Sequence, residues 1–176
     1  MDSFEARLIA RFQNGDGRAL EALFDLYVDR ALGLAVRLTE TREDAEEVVG
    51  DAFLKAFRRA RSLRSEERFG PWLFAIVRSA AADRRRQLRL PTLSLERVAE
   101  LGGGTRPDEE ALAREEKSRL LAALDALPEE WRTVLTLCDL EDVPHAEAAK
   151  VLGRSTAATK SLLYRARRAL RDTLIE

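Results

Sequence analysis

Residues 87 to 113 interrupt a pattern that governs the rest of the chain. On either side, apolar residues recur every three or four positions, the repeat of a helix with one buried face. Between them, Leu90-Pro91, the run LSLERV, Gly102-Gly103-Gly104 and Arg106-Pro107-Asp108 hold no period. Three consecutive glycines have no side chains to pack and the most backbone freedom to lose on ordering. The expected fold is therefore all-α: two small helical domains, residues 1–86 and 114–176, joined by a flexible linker over 87–113. Nine glycines and five prolines in 176 residues are too few for a β-rich or low-complexity chain.

In the first half, Phe4, Leu8, Ile9 and Phe12 fall at helical spacing. Asn14-Gly15-Asp16-Gly17 breaks the pattern with turn formers. Leu20, Leu23, Phe24, Tyr27, Ala31, Leu34 and Leu38 mark a long amphipathic helix. Thr41 is placed to cap the next helix, and Glu43 and Asp44 suit its positive end. Ala45, Val48, Val49, Ala52, Phe53, Ala56 and Phe57 form one face there. Asp44, Glu47 and Asp51 fall on another, which is either solvated surface or a docking face for a basic partner. A polar connector follows, and then FGPWLFAIVRSAAADRRR (Phe69 to Arg86), apolar on one side and basic towards its end. Trp72 falls on the apolar side and reads as core.

In the second half, Leu120, Leu121, Leu124 and Leu127 continue a helix, and Pro128 opens another in which Trp131, Val134, Leu135 and Cys138 turn inward. Val143 to Leu170 then reads as two helices joined by a tight turn. Pro144 opens the first of these, since its missing N–H has no intrahelical partner there. Gly153 supplies the left-handed turn residue, and Ser155 caps the second helix. Thr159, Leu162, Leu163, Ala166 and Leu170 form the buried side of that helix, and its other faces are basic. This is the outline of a helix-turn-helix that enters a DNA major groove. A helical hairpin with a solvated basic face has the same pattern.

Net charge is −1, so the global balance says nothing about nucleic acid. Its distribution does. Glu40–Asp51 holds six acidic residues and one basic; Arg78–Arg89 holds five basic and one acidic; Arg106–Glu116 holds five acidic and two basic; Lys160–Arg171 holds five basic and none acidic. Two basic patches about eighty residues apart, with acidic stretches between, suggest two separate grips on a polyanion. One Cys and one His make no zinc site within the chain, and no cofactor is expected. There is no Gly-rich phosphate loop or nucleophile constellation, which argues against an enzyme. Asp2 and Glu5 stand where a signal peptide would be positive, and no apolar run approaches a membrane span. A cytoplasmic location without membrane insertion is the expectation.

Four segments in order resemble the extracytoplasmic-function sigma factors, the two-domain form of the sigma-70 family of bacterial RNA polymerase subunits. DAEEVVGDAFLKAF (Asp44 to Phe57) is similar to the polymerase-binding helix of sigma region 2. FGPWLFAIVRSAAADRRR resembles the segment that opens and reads the minus-ten element. ALDALPEEWRTVLTL (Ala123 to Leu137) is similar to the start of sigma region 4. Leu152-Gly153 followed by ATKSLLYRARRAL resembles the minus-thirty-five-reading helix. The resemblance implies an alternative sigma factor that binds core polymerase, through its clamp helices and flap, and promoter DNA. It also implies an anti-sigma factor as a partner, and a linker lying in the polymerase interior.

Carried over by position, the resemblance places core-polymerase binding at Asp44, Glu47, Val48, Asp51, Phe53 and Leu54. Minus-ten contacts fall at Arg78, Ser79, Asp83, Arg84 and Arg85, with Ser62 to Arg68 helping to build a pocket for an unstacked base. Minus-thirty-five contacts fall at Arg154, Ser155, Thr156, Ala158, Thr159, Lys160, Leu162, Arg165 and Arg168. Serine stands at 79 where the family often carries asparagine, Ala148 where a larger aliphatic is usual, and Thr159 where valine is common. The competing readings are a stand-alone helix-turn-helix regulator and a helical interaction protein without a DNA role. The regulator would need a dimer interface, and no sustained heptad suggests one.

Overall fold

In the computed structural model the described residues are 3–64, 68–88 and 109–175, and among them every regular element is helical. The first unit consists of α1 (Ser3–Gln13), α2 (Gly17–Val36), α3 (Arg42–Arg58), a 3-10 turn at Ala60–Ser62 and α4 (Phe69–Leu88). The second consists of α5 (Glu109–Ala126), α6 (Glu129–Leu135), α7 (His145–Leu152) and α8 (Thr156–Ile175). A π-helical turn at Thr136–Leu140 carries α6 onward past Cys138. The ends of the aperiodic interval are helical: α4 runs to Leu88 and α5 begins at Glu109, several residues before the expected boundary. The rest of the linker, including the triple glycine, lies outside the described residues.

Local chemistry sets the helix ends. Asp16 caps α2 by accepting from the Arg18 N–H. At α3, the Asp44 N–H donates to Thr41 Oγ1 and the Thr41 hydroxyl donates to the Asp44 carboxylate, so cap and first turn satisfy each other. Gly153 closes α7 at φ 66°, a left-handed conformation that costs other residues strain, and its N–H and that of Arg154 take two of the orphan carbonyls. Ser155 Oγ accepts from the Ala158 N–H at the start of α8.

In the first unit, Phe12, Leu23, Leu34, Phe69, Leu73, Phe74 and Val77 are fully buried where α1, α2, α3 and α4 meet. Phe12, Phe69 and Trp72 pack as a ring cluster with centroids 5.5 to 6.3 Å apart, which places Trp72 at the core's edge. Gly70 lets α4 approach α2 closely, because a Cβ there would come within 2.7 Å of the Tyr27 ring. In the second unit, Leu124, Val134, Leu135, Leu137, Val151, Leu162, Leu163 and Ala166 are buried together.

Whether the two units pack together was open from the sequence. They do: α4 lies against α7, and the buried residues of both units form one continuous apolar cluster. Arginines of the first unit meet acceptors of the second around this contact. Arg37, itself 8% exposed, donates to both carboxylate oxygens of Asp125 at 2.7 and 2.8 Å. Arg30 pairs with Glu141 at 2.6 Å while its guanidinium lies 5.5 Å from the Tyr27 and Phe74 ring centroids.

Candidate nucleic-acid and polymerase interfaces

Helix α3 turns its exposed side outward through Glu43, Glu46, Glu47, Gly50, Asp51, Leu54 and Phe57. Of the six residues expected to dock polymerase, Glu47, Asp51 and Leu54 lie on that side. The other three do not. Val48 and Phe53 are 2% and 4% exposed and belong to the core, because the face that packs on α2 and α4 claims them. Asp44 is 7% exposed and is spent on the helix cap and on Arg84, whose Nε donates to it at 2.7 Å. Sequence reasoning named Leu54 but missed the two rings that border the carboxylates with it, Phe24 and Phe57, which it had placed on buried faces. Leu54 is 56% exposed, and Phe24 and Phe57 are each 39% exposed, with the Phe24 ring tilted against that of Phe53 at 4.7 Å between centroids. Spacing put both rings on the apolar stripes of their helices, and the packing leaves them partly uncovered.

Helix α4 carries the five minus-ten candidates, of which Ser79 is exposed and the other four are half-buried. Arg78 donates to the Val151 carbonyl at 3.1 Å, filling one of the acceptors left open at the C-terminus of α7. Arg84 bridges Asp44 and Glu47, the latter at 2.8 Å. Arg85 pairs with Glu129 in the first turn of α6. Asp83 is held between Lys55 and Arg86, and the Arg86 hydrogen bond keeps its carboxyl below the usual range. The pocket segment Ser62 to Arg68 is described only at its two ends.

Helix α8 is arranged differently. Thr156, Ala157, Lys160, Ser161, Tyr164, Arg165 and Arg168 share its exposed side. Thr159 and Leu162, expected to face bases, are 0% and 2% exposed. Thr159 donates its hydroxyl to the Ser155 carbonyl, and both side chains pack into the second unit, out of reach of a groove. Ala158 is half-buried beside them. Tyr164, 70% exposed between Lys160 and Arg168, was not named from the sequence, although it lies four residues from each. Arg154 is exposed and forked onto Glu130 at 2.7 and 2.8 Å. Cys138 is half-buried, and burial pushes its thiol up to about 11, which makes it an inert thiol rather than a reactive one. Among the described residues there is no group of carboxylate, His or Cys side chains that would hold a metal, and no helix long and apolar enough to cross a membrane.

Comparison with known proteins gives this geometry a family. Residues 23–90 match the model of sigma-70 region 2, and residues 117–170 match that of sigma-70 region 4. The ECF RNA polymerase sigma factor SigM of Mycobacterium tuberculosis is 34% identical over 93% of this chain and 81% of its own length. The chain belongs to the extracytoplasmic-function sigma factors. It is an alternative sigma subunit for transcription initiation. The RNA polymerase sigma-H factor of Pseudomonas aeruginosa is 29% identical, covering 97% of this chain and 93% of its own. Among solved structures, CnrH in complex with the cytosolic domain of CnrY superposes with a TM-score of 0.70 at 25% identity, over 97% of this chain and 96% of that one. The sigma factor RpoE of Bartonella quintana, solved with the anti-sigma factor NepR, shares the fold with a TM-score of 0.69 at 20% identity, over 88% and 95% of the two chains.

Proposed function

We propose that this sigma subunit docks on core polymerase through Glu47, Asp51 and Leu54 of α3, with Phe24 and Phe57 as an apolar border. Carboxylates there meet basic groups of the partner, and the exposed leucine and rings supply area that water would otherwise cover. Helix α4 serves the opened minus-ten strand, with Ser79 beside Arg78, Arg84 and Arg85 along it. Helix α8 reads the minus-thirty-five duplex with Thr156, Lys160, Ser161, Tyr164, Arg165 and Arg168, while Ser155 caps it and Arg154 stands at its entry. Base edges specify and phosphates position, so Thr156, Ser161 and Tyr164 are the specificity candidates and the cations the anchors. Residues 1–86, 87–113 and 114–176 act as polymerase-and-strand module, linker and duplex module. An anti-sigma factor, of the kind the Bartonella relative binds, is the regulator this reading calls for.

The observation that supports it best is the exposed side of α8, where an aromatic and three cations gather on one solvent face of a helix-turn-helix. The test is transcription by bacterial core polymerase on a promoter library. Promoter-dependent transcripts that require the protein, and that Asp51→Arg abolishes together with co-elution, support the reading. Tight specific duplex binding without any association with core polymerase would replace it by a stand-alone regulator.

A further inference from the structure

Helix α1 lies ahead of residues 23–90, the part of the first unit that matches sigma-70 region 2, and none of the proposed polymerase or promoter contacts falls on it. Its last turn nonetheless holds the end of α3 and the start of α4 together. Phe12 is fully buried, with its ring centroid 6.5 Å from that of Phe57 in the last turn of α3 and 5.5 Å from that of Phe69 at the start of α4. Gln13, beside it, donates from Nε2 to the Leu63 carbonyl at 2.6 Å, across 50 positions of sequence. The 3-10 turn is tied down from its own side as well. The Ser62 hydroxyl donates to the Arg59 carbonyl at 2.7 Å, and Ala60 and Leu63 are buried.

What this fixed turn presents is charge. Residues 55–64 hold five basic side chains and no acidic one. Arg58, Arg59 and Arg61 are exposed, and among the described residues their guanidinium groups have no hydrogen-bond or ion-pair partner. The dipole of α3 accounts for Arg58 in its last turn, but that effect fades within the turn and does not reach Arg61. The four arginines of α4 are all held by other groups of the chain, so a strand there has to displace a partner. At the turn nothing has to be displaced. Guanidinium groups on a fixed backbone suit a phosphate chain, whose charge repeats along its length.

We propose that Gln13 is a positioning residue for strand capture: it fixes the turn from which Arg58, Arg59 and Arg61 grip phosphates of the opened promoter strand, next to the start of α4. The proposal rests on the reading of α4 as the minus-ten helix, because that reading brings the strand past the turn. The grip supplies affinity without sequence, and α1 sets where it acts.

The test uses the full chain reconstituted with core polymerase, on a promoter recovered from the library with its minus-ten region held open by mismatches. The triple variant Arg58→Gln, Arg59→Gln, Arg61→Gln is expected to lower the slope of log affinity against log salt by about 2 units, since each phosphate contact on a single strand contributes about 0.7. Arg61→Gln alone should lower it by about 0.7, and it serves if the triple variant loses helical circular dichroism. Co-elution with core polymerase and binding to a duplex carrying the upstream element alone should stay as they were. Gln13→Met removes the donor and keeps the arginines. It should weaken open-promoter binding about threefold in the otherwise unaltered chain and not at all in the triple variant, because a residue that acts only through the turn has nothing left there to position.

An unchanged salt slope in the triple variant overturns the grip. So does loss of co-elution, which would make the turn a polymerase contact instead. An equal loss from Gln13→Met in both backgrounds overturns its positioning role. The reading of α4 is tested apart, by Arg78→Ala with Ser79→Ala in polymerase-dependent transcription. If transcription persists unaltered, that reading falls and the proposal with it. If transcription drops while the triple variant keeps its slope, the reading stands and the grip alone is overturned.

Discussion

Helices α4 and α8 are each 20 residues long, each buries one apolar face, and they carry four and five basic side chains. On α4, all four arginines are engaged: Arg78 by a carbonyl of α7, Arg84 by two carboxylates of α3, Arg85 by Glu129, and Arg86 by Asp83. On α8, Arg167 pairs with Asp139 and Arg165 leans on its own helix, while among the described residues Lys160, Arg168 and Arg171 have no side-chain partner. The difference lies in the neighbours. Helix α4 is wedged between an acidic helix and the second unit, whereas α8 packs one side on α5, α6 and α7 and leaves the other to solvent. Basic composition therefore measures capacity for a polyanion, and packing decides how much of it is available.

The largest expected effects test whether the helices are equal underneath. Leu73 on α4 is fully buried and Leu163 on α8 is 2% exposed. Truncation of either to alanine should cost about 2–5 kcal/mol, from lost transfer energy and the cavity left behind. Denaturant unfolding followed by circular dichroism checks this. Similar losses would confirm that the two helices differ only in what surrounds their charged sides; a negligible loss at Leu163 would mean that α8 is held by something other than its apolar face.

Next in size are the charge deletions. Arg168→Ala should weaken duplex binding for every sequence and lower the slope of log affinity against log salt by about one unit. Tyr164→Ala should instead cost about 1–3 kcal/mol at one promoter position, if its ring reads a base edge. Arg84→Ala should leave the free protein's duplex binding as it was, because its charge already serves Asp44 and Glu47. Anisotropy titrations across a salt series separate the three. An equal loss of slope for Arg84 and Arg168 would break the distinction between committed and available charge.

The pattern of what sequence could reveal follows the same division. Helix existence, the caps at Thr41 and Ser155 and the left-handed Gly153 are local, and they were legible because spacing and residue type decide them. The π-helical turn at Thr136–Leu140 and the early start of α5 were not, since neither has a distinct sequence period. Thr159, Leu162, Val48 and Phe53 carry a sharper lesson. Each was already on an apolar face by spacing, yet resemblance also offered it to DNA or polymerase, and one side chain cannot serve core and partner together. The contact between units was illegible because Arg37 and Asp125 lie 88 residues apart, with no local signal joining them.

Acid offers a milder probe of that contact. Glu129 is held below the ordinary carboxylate value, first by its hydrogen bond from Arg85 and further by the charges of Arg85, Arg78 and Arg132, while partial burial opposes them. A carboxyl with a depressed folded value favours the packed state above its free value, about 4.3, and loses that contribution as pH falls through the folded value. Scattering recorded downward through that window, at pH values where circular dichroism remains helical, should show the units loosening. Duplex binding by α8 should change less, since Lys160 and Arg168 have no carboxylate partner to lose. Loosening that begins near neutral pH would point to another group.

The smallest expected effect bears on the one exception on α8. Arg167 forks onto Asp139 at 2.5 and 2.9 Å, with the guanidinium side chain 57% exposed. Solvent screens such a pair, so Asp139→Asn should cost about 0.2–1 kcal/mol of stability. It should also free one cation near the duplex-facing side, raising non-specific duplex affinity slightly at low salt and hardly at all at high salt. A gain as large as the loss from Arg168→Ala would mean that α8, like α4, keeps a substantial part of its charge in reserve against an internal carboxylate. A negligible gain would leave Arg167 as a strut between the π-helical turn and α8, fixing the angle at which the exposed side is presented. Isothermal unfolding and a two-salt anisotropy measurement on the same variant distinguish the strut from the reserve, because only the reserve couples a stability loss to an affinity gain.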